Sequence, residues 1–310
     1  MDWLANRNSR FVPKGVGGEA GVRNIRKAVH AGYCWGVERA IDMVHQTTET
    51  HKEVPVRTLG PIIHNPQVVQ SLADKGASAI DSLDEMPTGG TVIIRTHGVP
   101  PETYQQAEQK NLTVVDATCP LVTLVQNRAK QLVNEGYHLV IFGNSKHPEV
   151  IGTVGHAGGH ATIIEKPEEA RTVKLANKKV GLVVQTTQET ERLSEVLSYL
   201  APRCKELKVF NTICNPTIER QDAARDLARE VQLMIVVGGK NSSNTRHLAT
   251  VCQQEGATTY HIEEPTEVEP GWFTGVKDIG VTAGASTPGY LMDQVIARIT
   301  ELEQHNLLPA

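Results

Sequence analysis

The sequence predicts an α/β fold made of three similar subdomains with mostly parallel sheets. Short apolar runs alternate with longer amphipathic ones along the chain, and strands that alternate with helices form βαβ units. Three cysteines, Cys34, Cys119 and Cys214, are separated by 85 and 95 residues, each about the length of one small α/β unit. A chain of 310 residues also exceeds what one core usually supports, so two or three subdomains are expected.

The individual elements follow from this alternation. The apolar runs predict strands at residues 54–59, 91–95, 112–116, 138–142, 161–164, 180–184, 208–211, 231–237 and 278–282. The amphipathic stretches predict helices at residues 121–135, 189–200, 218–230 and 290–303. We expect subdomains at residues 24–118, 119–213 and 214–310, after a mobile, Gly-rich N-terminal extension of residues 1–23.

Composition excludes several classes of protein. The net charge of −4 leaves no general footprint for nucleic acid or for an anionic membrane, so any anion site must be local. No apolar run approaches the roughly 20 residues that span a bilayer, and the N-terminus lacks the apolar core of a signal peptide. Five sparse cysteines do not form a disulfide scaffold, which favours a cytoplasmic location.

The three spaced cysteines predict a metal site. Each lies at the tip of a β-to-α turn, where the dipole of the following helix favours thiolate over thiol. Three thiolates are too many for a disulfide, too widely spaced for a zinc knuckle and one short of a closed four-cysteine site. A cluster with an open coordination position fits best. Cys204 and Cys252 are interpreted as buried structural residues.

Hydrogen-bonding side chains follow nearly every predicted strand, beside glycine or proline. Since ligands of open α/β sheets bind beyond the carboxyl ends of the strands, these side chains predict one shared cavity. The set is rich in uncharged donors, which suits a phosphate-type anion held by hydroxyls and helix N-termini, although residues 242–244 also fit a plain helix cap. Its members are His64, His97, His147, Ser242, Ser243, Asn244 and Ser286.

Glu149 is the acid that stands in such a turn beside a histidine, two residues after His147. In a buried site near an anion its pKa should rise, which would make it a proton donor at neutral pH. His156, in the same region, fits either a surface or a site role.

Several motifs together resemble the 4-hydroxy-3-methylbut-2-enyl diphosphate reductases, the IspH/LytB family. The match covers about residues 24–300, with the motifs in the family's order, and a mild departure is Lys146 where a small residue is expected. The stretch around Cys119 is the most specific. The matching motifs are GYCWGVERAI at Cys34, GPIIHN at His64, THGV at His97, DATCPLVT at Cys119, HPEVIG at Glu149, QTT at Thr186, CNPT at Cys214, KNSSN at Ser242 and TAGAS at Ser286.

The resemblance implies three subdomains around a central cavity in which Cys34, Cys119 and Cys214 hold a [4Fe–4S] cluster, with one iron free to bind the substrate hydroxyl. Two electrons and two protons would remove this hydroxyl as water, giving isopentenyl and dimethylallyl diphosphate, the last step of the methylerythritol phosphate route. The resemblance further implies an electron donor such as ferredoxin or flavodoxin. It implies catalytic roles for Glu149, Thr186 and His147, and substrate binding by His64, His97, His147, Thr186, Ser242, Ser243, Asn244 and Ser286.

Two other interpretations stay open on the sequence. Quinolinate synthase also gathers three cysteines from three similar subdomains, but it would need arginine forks for a dicarboxylate. A non-catalytic iron–sulfur sensor that binds nucleic acid or a regulator would need a basic face or a recognition helix, and neither stands out in the sequence.

Overall fold

The structure, a computed structural model, describes residues 23–175 and 179–309. Apart from Arg23, the predicted mobile extension lies outside the described residues. Arg23 forms an ion pair of 3.3 Å with Glu303 near the other end of the chain. Within the described ranges no helix is both long and apolar enough to cross a membrane.

Strands and helices alternate as the sequence predicts, which confirms the α/β class. The strands are β1 Asn24–Lys27, β2 Val56–Leu59, β3 Ala77–Ile80, β4 Thr91–Ile94, β5 Thr113–Asp116, β6 His138–Phe142, β7 Thr162–Ile164, β8 Lys179–Val184, β9 Glu206–Val209, β10 Leu233–Val237, β11 Thr258–Ile262 and β12 Asp278–Ala283. The helices are α1 Trp35–Thr50, α2 Pro66–Asp74, α3 Pro101–Gln109, α4 Pro120–Asn134, α5 Pro148–His156, α6 Thr190–Leu200, α7 Asn215–Ala228, α8 Ser243–Gln254 and α9 Gly289–Gln304.

All nine predicted strands are present within a few residues, and three further strands, β1, β3 and β11, were not predicted. The central strands are buried on both faces, as in β10 with the sequence LMIVV, which is typical of parallel sheets covered by helices. The missed strands are short or mixed in polarity, such as β11 with TTYHI, so their apolar runs are weak. Proline at the start of α2, α3, α4 and α5 fixes the backbone angle that the first helical turn needs.

The strands form three four-stranded parallel sheets of identical order. The first is β3-β2-β4-β5 and the second is β7-β6-β8-β9. The third is β11-β10-β12-β1, so its outer strand comes from the opposite end of the chain, with Asn24 opposite Asp278. The predicted start of the first subdomain at residue 24 is therefore wrong for β1, because this strand hydrogen-bonds to the third sheet. In each unit a cysteine follows the last strand of the sheet order (β5, β9 or β1) and directly precedes the next helix.

Candidate active site

The three sheets direct the loops at their carboxyl ends toward one cavity, with about 770 Å³ of empty space including its mouth. Each unit contributes loops from several strand ends, which is the position where open parallel sheets bind ligands. The cavity is lined by every candidate residue from the sequence: Cys34, His64, His97, Cys119, His147, Glu149, Thr186, Cys214, Ser242, Ser243, Asn244 and Ser286.

Each of the three cysteines is held by the same backbone contact. The amide of Cys34 donates to the carbonyl of Ala285 at 3.3 Å, two residues beyond the end of the neighbouring strand β12. The amide of Cys119 donates to Thr96 at 3.0 Å, and that of Cys214 donates to Thr186 at 3.0 Å, each again two residues beyond the neighbouring strand. Each cysteine is the N-cap of its helix, one residue before the first turn that the sequence predicted.

Two of the three sulfur atoms lie next to Gly36 in the first turn of α1. A methyl group at Gly36 would lie 2.8 Å from the Sγ of Cys119 and 3.9 Å from the Sγ of Cys34, so both sulfurs lie within 4 Å of one point. All three cysteines are free of disulfides. The other two cysteines lie elsewhere: Cys252 is buried in the core of the third unit, as predicted, whereas Cys204 is only partly buried and packs against the core of the second.

The protonation state predicted for the thiols needs correction. Burial raises the pKa of the Cys119 thiol and raises that of Cys214 to about 11, although amides at the start of each helix act in the opposite direction. Thr217 also bonds the sulfur of Cys214 at 3.1 Å. The helix N-terminus therefore does not by itself ionise these two thiols, because removing a thiolate from water costs more than the helix returns. A bound cation would be needed to deprotonate them.

Glu149 and Thr186 form a buried pair at the wall of the cavity. The amide of Thr186 donates to Oε1 of Glu149 and its hydroxyl donates to Oε2, each at 2.7 Å. Glu149 is 1% exposed, and burial raises its pKa to about 7 despite these two bonds. The direction agrees with the sequence-based expectation, and desolvation is the main cause. Near neutral pH this carboxyl can both hold and release a proton.

Three histidines from two units pack as a ring cluster. The ring centroids of His64 and His97 are 4.5 Å apart, and those of His147 lie 5.3 Å and 5.0 Å from them. Burial, aided by the charge of Arg95, lowers the pKa of His64 to about 4, that of His147 to about 3 and that of His97 well below its ordinary value. The rings are therefore neutral at pH 7.

Several donors at this end of the cavity have no partner in the described part of the chain. Both ring nitrogens of His64, Nδ1 of His97 and both amide atoms of Asn244 are buried and unpaired. Unpaired buried polar groups are costly, so such a set indicates a ligand that completes their hydrogen bonds. Imidazole nitrogens of His64, His97 and His147 also come within 4.8 Å of one another, close enough to contact one small ligand together.

The serines connect the units around this set. Ser242 caps α8 by accepting from the amide of Thr245 at 3.3 Å, so the helix-cap interpretation holds for this residue. The hydroxyl of Ser243 accepts from Thr187 of the second unit at 3.1 Å. Ser286 donates to the carbonyl of His64 at 3.2 Å, which joins the third unit to the first. All three serines line the cavity, so their hydroxyls can form further hydrogen bonds to a ligand there.

The sequence missed Thr187 and Trp35, which also line the cavity, and Arg220, whose contacts lie 188 residues away along the chain. Thr187 could have been predicted, because it directly follows Thr186 in the QTT motif. No sequence motif indicated a role for Arg220. His156 instead bonds the carbonyl of Val99 and does not line the cavity. Among the described residues, neither arginine nor lysine lines it, so the arginine forks of a dicarboxylate site are missing there.

Comparison with known proteins agrees with this architecture. Residues 25–300 match the family described as LytB protein. A curated relative from Pelobacter propionicus is 47% identical over 90% of this chain and 98% of its own length, and one from Aquifex aeolicus is 45% identical over 91% and 97%. Both are named 4-hydroxy-3-methylbut-2-enyl diphosphate reductase.

Two solved structures are similar over most of the chain. One, titled as (E)-4-hydroxy-3-methyl-but-2-enyl diphosphate reductase, the terminal enzyme of the non-mevalonate pathway, is 45% identical with a TM-score of 0.66, covering 90% of this chain and 100% of that one. The other, from Plasmodium falciparum, is titled as E-1-hydroxy-2-methyl-but-2-enyl-4-diphosphate reductase. It is 28% identical with a TM-score of 0.86, covering 90% and 88%. Fold and site thus define a three-unit α/β enzyme of the reductase class. The chain belongs to the LytB protein family.

Proposed function

We propose that this chain reduces (E)-4-hydroxy-3-methylbut-2-enyl diphosphate to isopentenyl and dimethylallyl diphosphate. The observation that carries the proposal is one cavity that combines three free cysteines, a buried proton-holding carboxyl and a set of unpaired donors. Net conversion breaks the C4–O bond, consumes two electrons and two protons, and releases water. The relatives' names supply the substrate, and the chemistry of the cavity supports it.

The cysteines fit a [4Fe–4S] cluster bound by three protein thiolates. Cys34, Cys119 and Cys214 line the same cavity, and the space beside Gly36 is kept free of any side chain next to two of the sulfurs. When bound, the cluster would supply electrons and a Lewis-acidic iron for removal of the hydroxyl. The protein then contributes position and electrostatics.

The diphosphate is assigned to the histidine and serine end of the cavity. His64 and His97 would donate from neutral rings, and Ser242, Ser243, Asn244 and Ser286 would complete the set. A diphosphate would accept hydrogen bonds from one ring N–H each of His64 and His97 and from Nδ2 of Asn244, which lack partners in the described chain. The N-terminus of α8 adds a favourable dipole for the anion.

Protons are assigned to Glu149. With a pKa of about 7 it is partly protonated at neutral pH, and its Oε2 lies 2.7 Å from the hydroxyl of Thr186. When Oε2 is protonated this hydrogen bond reverses, so that Oε2 donates to Thr186 Oγ1 and the threonine hydroxyl can give its own proton toward the hydroxyl end of the substrate as it takes up the proton of Oε2. His147, which accepts from the amide of Glu149 at 3.2 Å, holds the helix start that carries this carboxyl.

Electrons would come from a small carrier such as ferredoxin or flavodoxin, and the proposed location is the cytoplasm. The test is anaerobic purification, iron analysis and dithionite-driven turnover of the diphosphate. We expect about four iron per chain, with loss of iron in Cys34→Ser, Cys119→Ser and Cys214→Ser but not in Cys204→Ser or Cys252→Ser. A colourless active protein, or iron-loaded protein that leaves the diphosphate unreacted, would overturn the proposal.

A further inference from the structure

Arg220 is a buried cation on α7 that the proposed chemistry does not yet use. It is 5% exposed and lies six residues after Cys214. None of its hydrogen bonds in the described chain goes to a carboxylate. Buried charges are usually paired, so this arginine requires an explanation.

The guanidinium joins two cysteine-bearing segments. Nε and Nη2 both donate to the carbonyl of Gly32, at 3.1 Å and 2.7 Å, and Nη2 also donates to Tyr33 at 2.8 Å. The third nitrogen, Nη1, donates to the carbonyl of Pro216 at 2.8 Å. The fork therefore fixes the loop directly before Cys34 onto the helix that directly follows Cys214. Gly32 has φ of +99°, so this loop has a backbone shape that depends on glycine and on such support.

The charge of Arg220 also acts on the two cysteines. Burial lowers the pKa of Arg220, whereas negative charge on Cys34 or Cys214, and to a smaller extent on Glu219 and Glu38, acts in the opposite direction, which places both sulfurs within electrostatic range. Arg220 and Cys34 line the same outer cleft, and Cys34, Trp35 and Pro216 line both this cleft and the central cavity. The cleft that Arg220 lines and the central cavity therefore share these three residues.

We propose that Arg220 is a positioning residue of the metal site, which orders the Cys34 loop and places a fixed positive charge behind the thiolates of Cys34 and Cys214. The inference rests on the proposed iron–sulfur function. A fixed cation favours the more negative, reduced state of a cluster, because cluster potentials respond to nearby charge and hydrogen bonds. Arg220 would therefore keep the reduction potential high enough for the electron donor.

The test uses iron-loaded protein with Arg220→Gln, which removes the charge, and Arg220→Lys, which keeps it but loses the fork. Arg229→Gln is the control, since Arg229 directly follows the same helix but is exposed and paired with Glu255. Midpoint potentials are measured by redox titration, and amide exchange of residues 32–34 is measured anaerobically by mass spectrometry.

We expect a more negative potential in Arg220→Gln alone. Amide exchange should be faster by about tenfold or more in both Arg220 variants. Each hydrogen bond from a charged donor changes the equilibrium between the closed and open forms of the loop by more than about a factor of ten. If Arg220→Gln holds no cluster, an unchanged potential with faster exchange in Arg220→Lys supports the inference. Wild-type potential and exchange in either iron-loaded Arg220 variant would overturn it. Absence of iron in the wild type would instead overturn the proposed function.

Discussion

At the scale of single residues, Glu149 shows how burial sets chemistry. Its carboxyl accepts two bonds from Thr186, which favour the ionised form, yet desolvation raises the pKa to about 7. The balance leaves a group that gives up a proton near neutral pH. The pKa of neighbouring His147 shifts in the opposite direction for the same reason, because desolvation disfavours its charged imidazolium and lowers its pKa to about 3.

Replacing Glu149 by Gln preserves shape and hydrogen bonding but removes the proton. We expect the variant to retain iron and bind substrate nearly as well as the wild type, while kcat falls about 10²–10⁴-fold, the scale of general acid catalysis. In the wild type, kcat should fall as the pH rises through about 7, because the protonated carboxyl is the active form. Steady-state kinetics under saturating reductant would measure the loss of kcat in the variant and the pH dependence of the wild type. The range of about pH 6–9 extends from about one unit below to about two units above the shifted pKa.

Glu189→Gln is the matched control, since this buried carboxyl also has a raised pKa but does not line the cavity. Wild-type kcat in Glu149→Gln would show that the protons come from another source, most simply the substrate's own diphosphate.

At the scale of elements, each of the three cavity cysteines is placed by a strand end and a helix start. The amide of each cysteine is fixed by the adjacent strand's loop, and the helix begins at the next residue. This repeated arrangement delivers one thiol from each unit. Gly36, in the first turn of α1, has no side chain, and this leaves room for the Sγ of Cys119 to lie close to the helix.

Gly36→Ala should lower iron content without unfolding the protein. The added methyl group would meet the Sγ of Cys119 at 2.8 Å, so this sulfur must move, whereas alanine in a helix is favoured over glycine by about 0.5–1 kcal/mol. Iron analysis and circular dichroism would measure the two effects. Gly289→Ala is the control, because a methyl group at the start of α9 would meet no atom within 4 Å. Full iron content in Gly36→Ala would show that the sulfur relaxes without cost.

At the scale of the whole molecule, three units of identical strand order enclose the site, and β1 completes the third. Units are joined at the cavity itself, where Ser286 bonds His64 and Thr187 bonds Ser243. The buried titratable groups of the cavity therefore lie where the units meet. Their protonation should affect the free energy of unfolding of the whole molecule.

Stability of the iron-free chain should fall on acidification from pH 6.5 toward pH 4. The histidines have lowered pKa values, about 4 for His64 and about 3 for His147, so their contribution is present above the unfolded value of about 6.5 and is lost as the pH falls through these values. Each contributes up to about 1.4 kcal/mol per pH unit. Glu149 acts oppositely, since its contribution is full below about 4.5 and is lost as the pH rises through about 7.

Urea unfolding at a series of pH values would measure this dependence. His64→Asn should flatten the acid slope, and Glu149→Gln should steepen it because the opposing group is removed. His305→Asn, at an exposed position after α9 that does not line the cavity, is the matched substitution control. A free energy of unfolding that stays constant or increases as the pH is lowered from 6.5 to 4 would contradict the prediction.

The sequence by itself determined the α/β class, nine of the strands and twelve of the residues that line the cavity. These features are local, because an apolar run predicts a strand, and a side chain in the loop that follows it lies at the carboxyl end of a parallel sheet. Even the raised pKa of Glu149 followed from its position in such a turn.

Only the tertiary structure decided which sheet β1 joins, how acidic the thiols are and what Arg220 holds. β1 pairs with β12, more than 250 residues away along the chain, and no local pattern encodes a partner at that distance. The thiols of Cys119 and Cys214 sit at helix starts, as the sequence indicated, but burial outweighs the helix dipole, and burial depends on what the other units cover. In the sequence Arg220 is one more charge on a helix, and its guanidinium reaches the carbonyl of Gly32 only when β1, from the other end of the chain, has joined the third sheet.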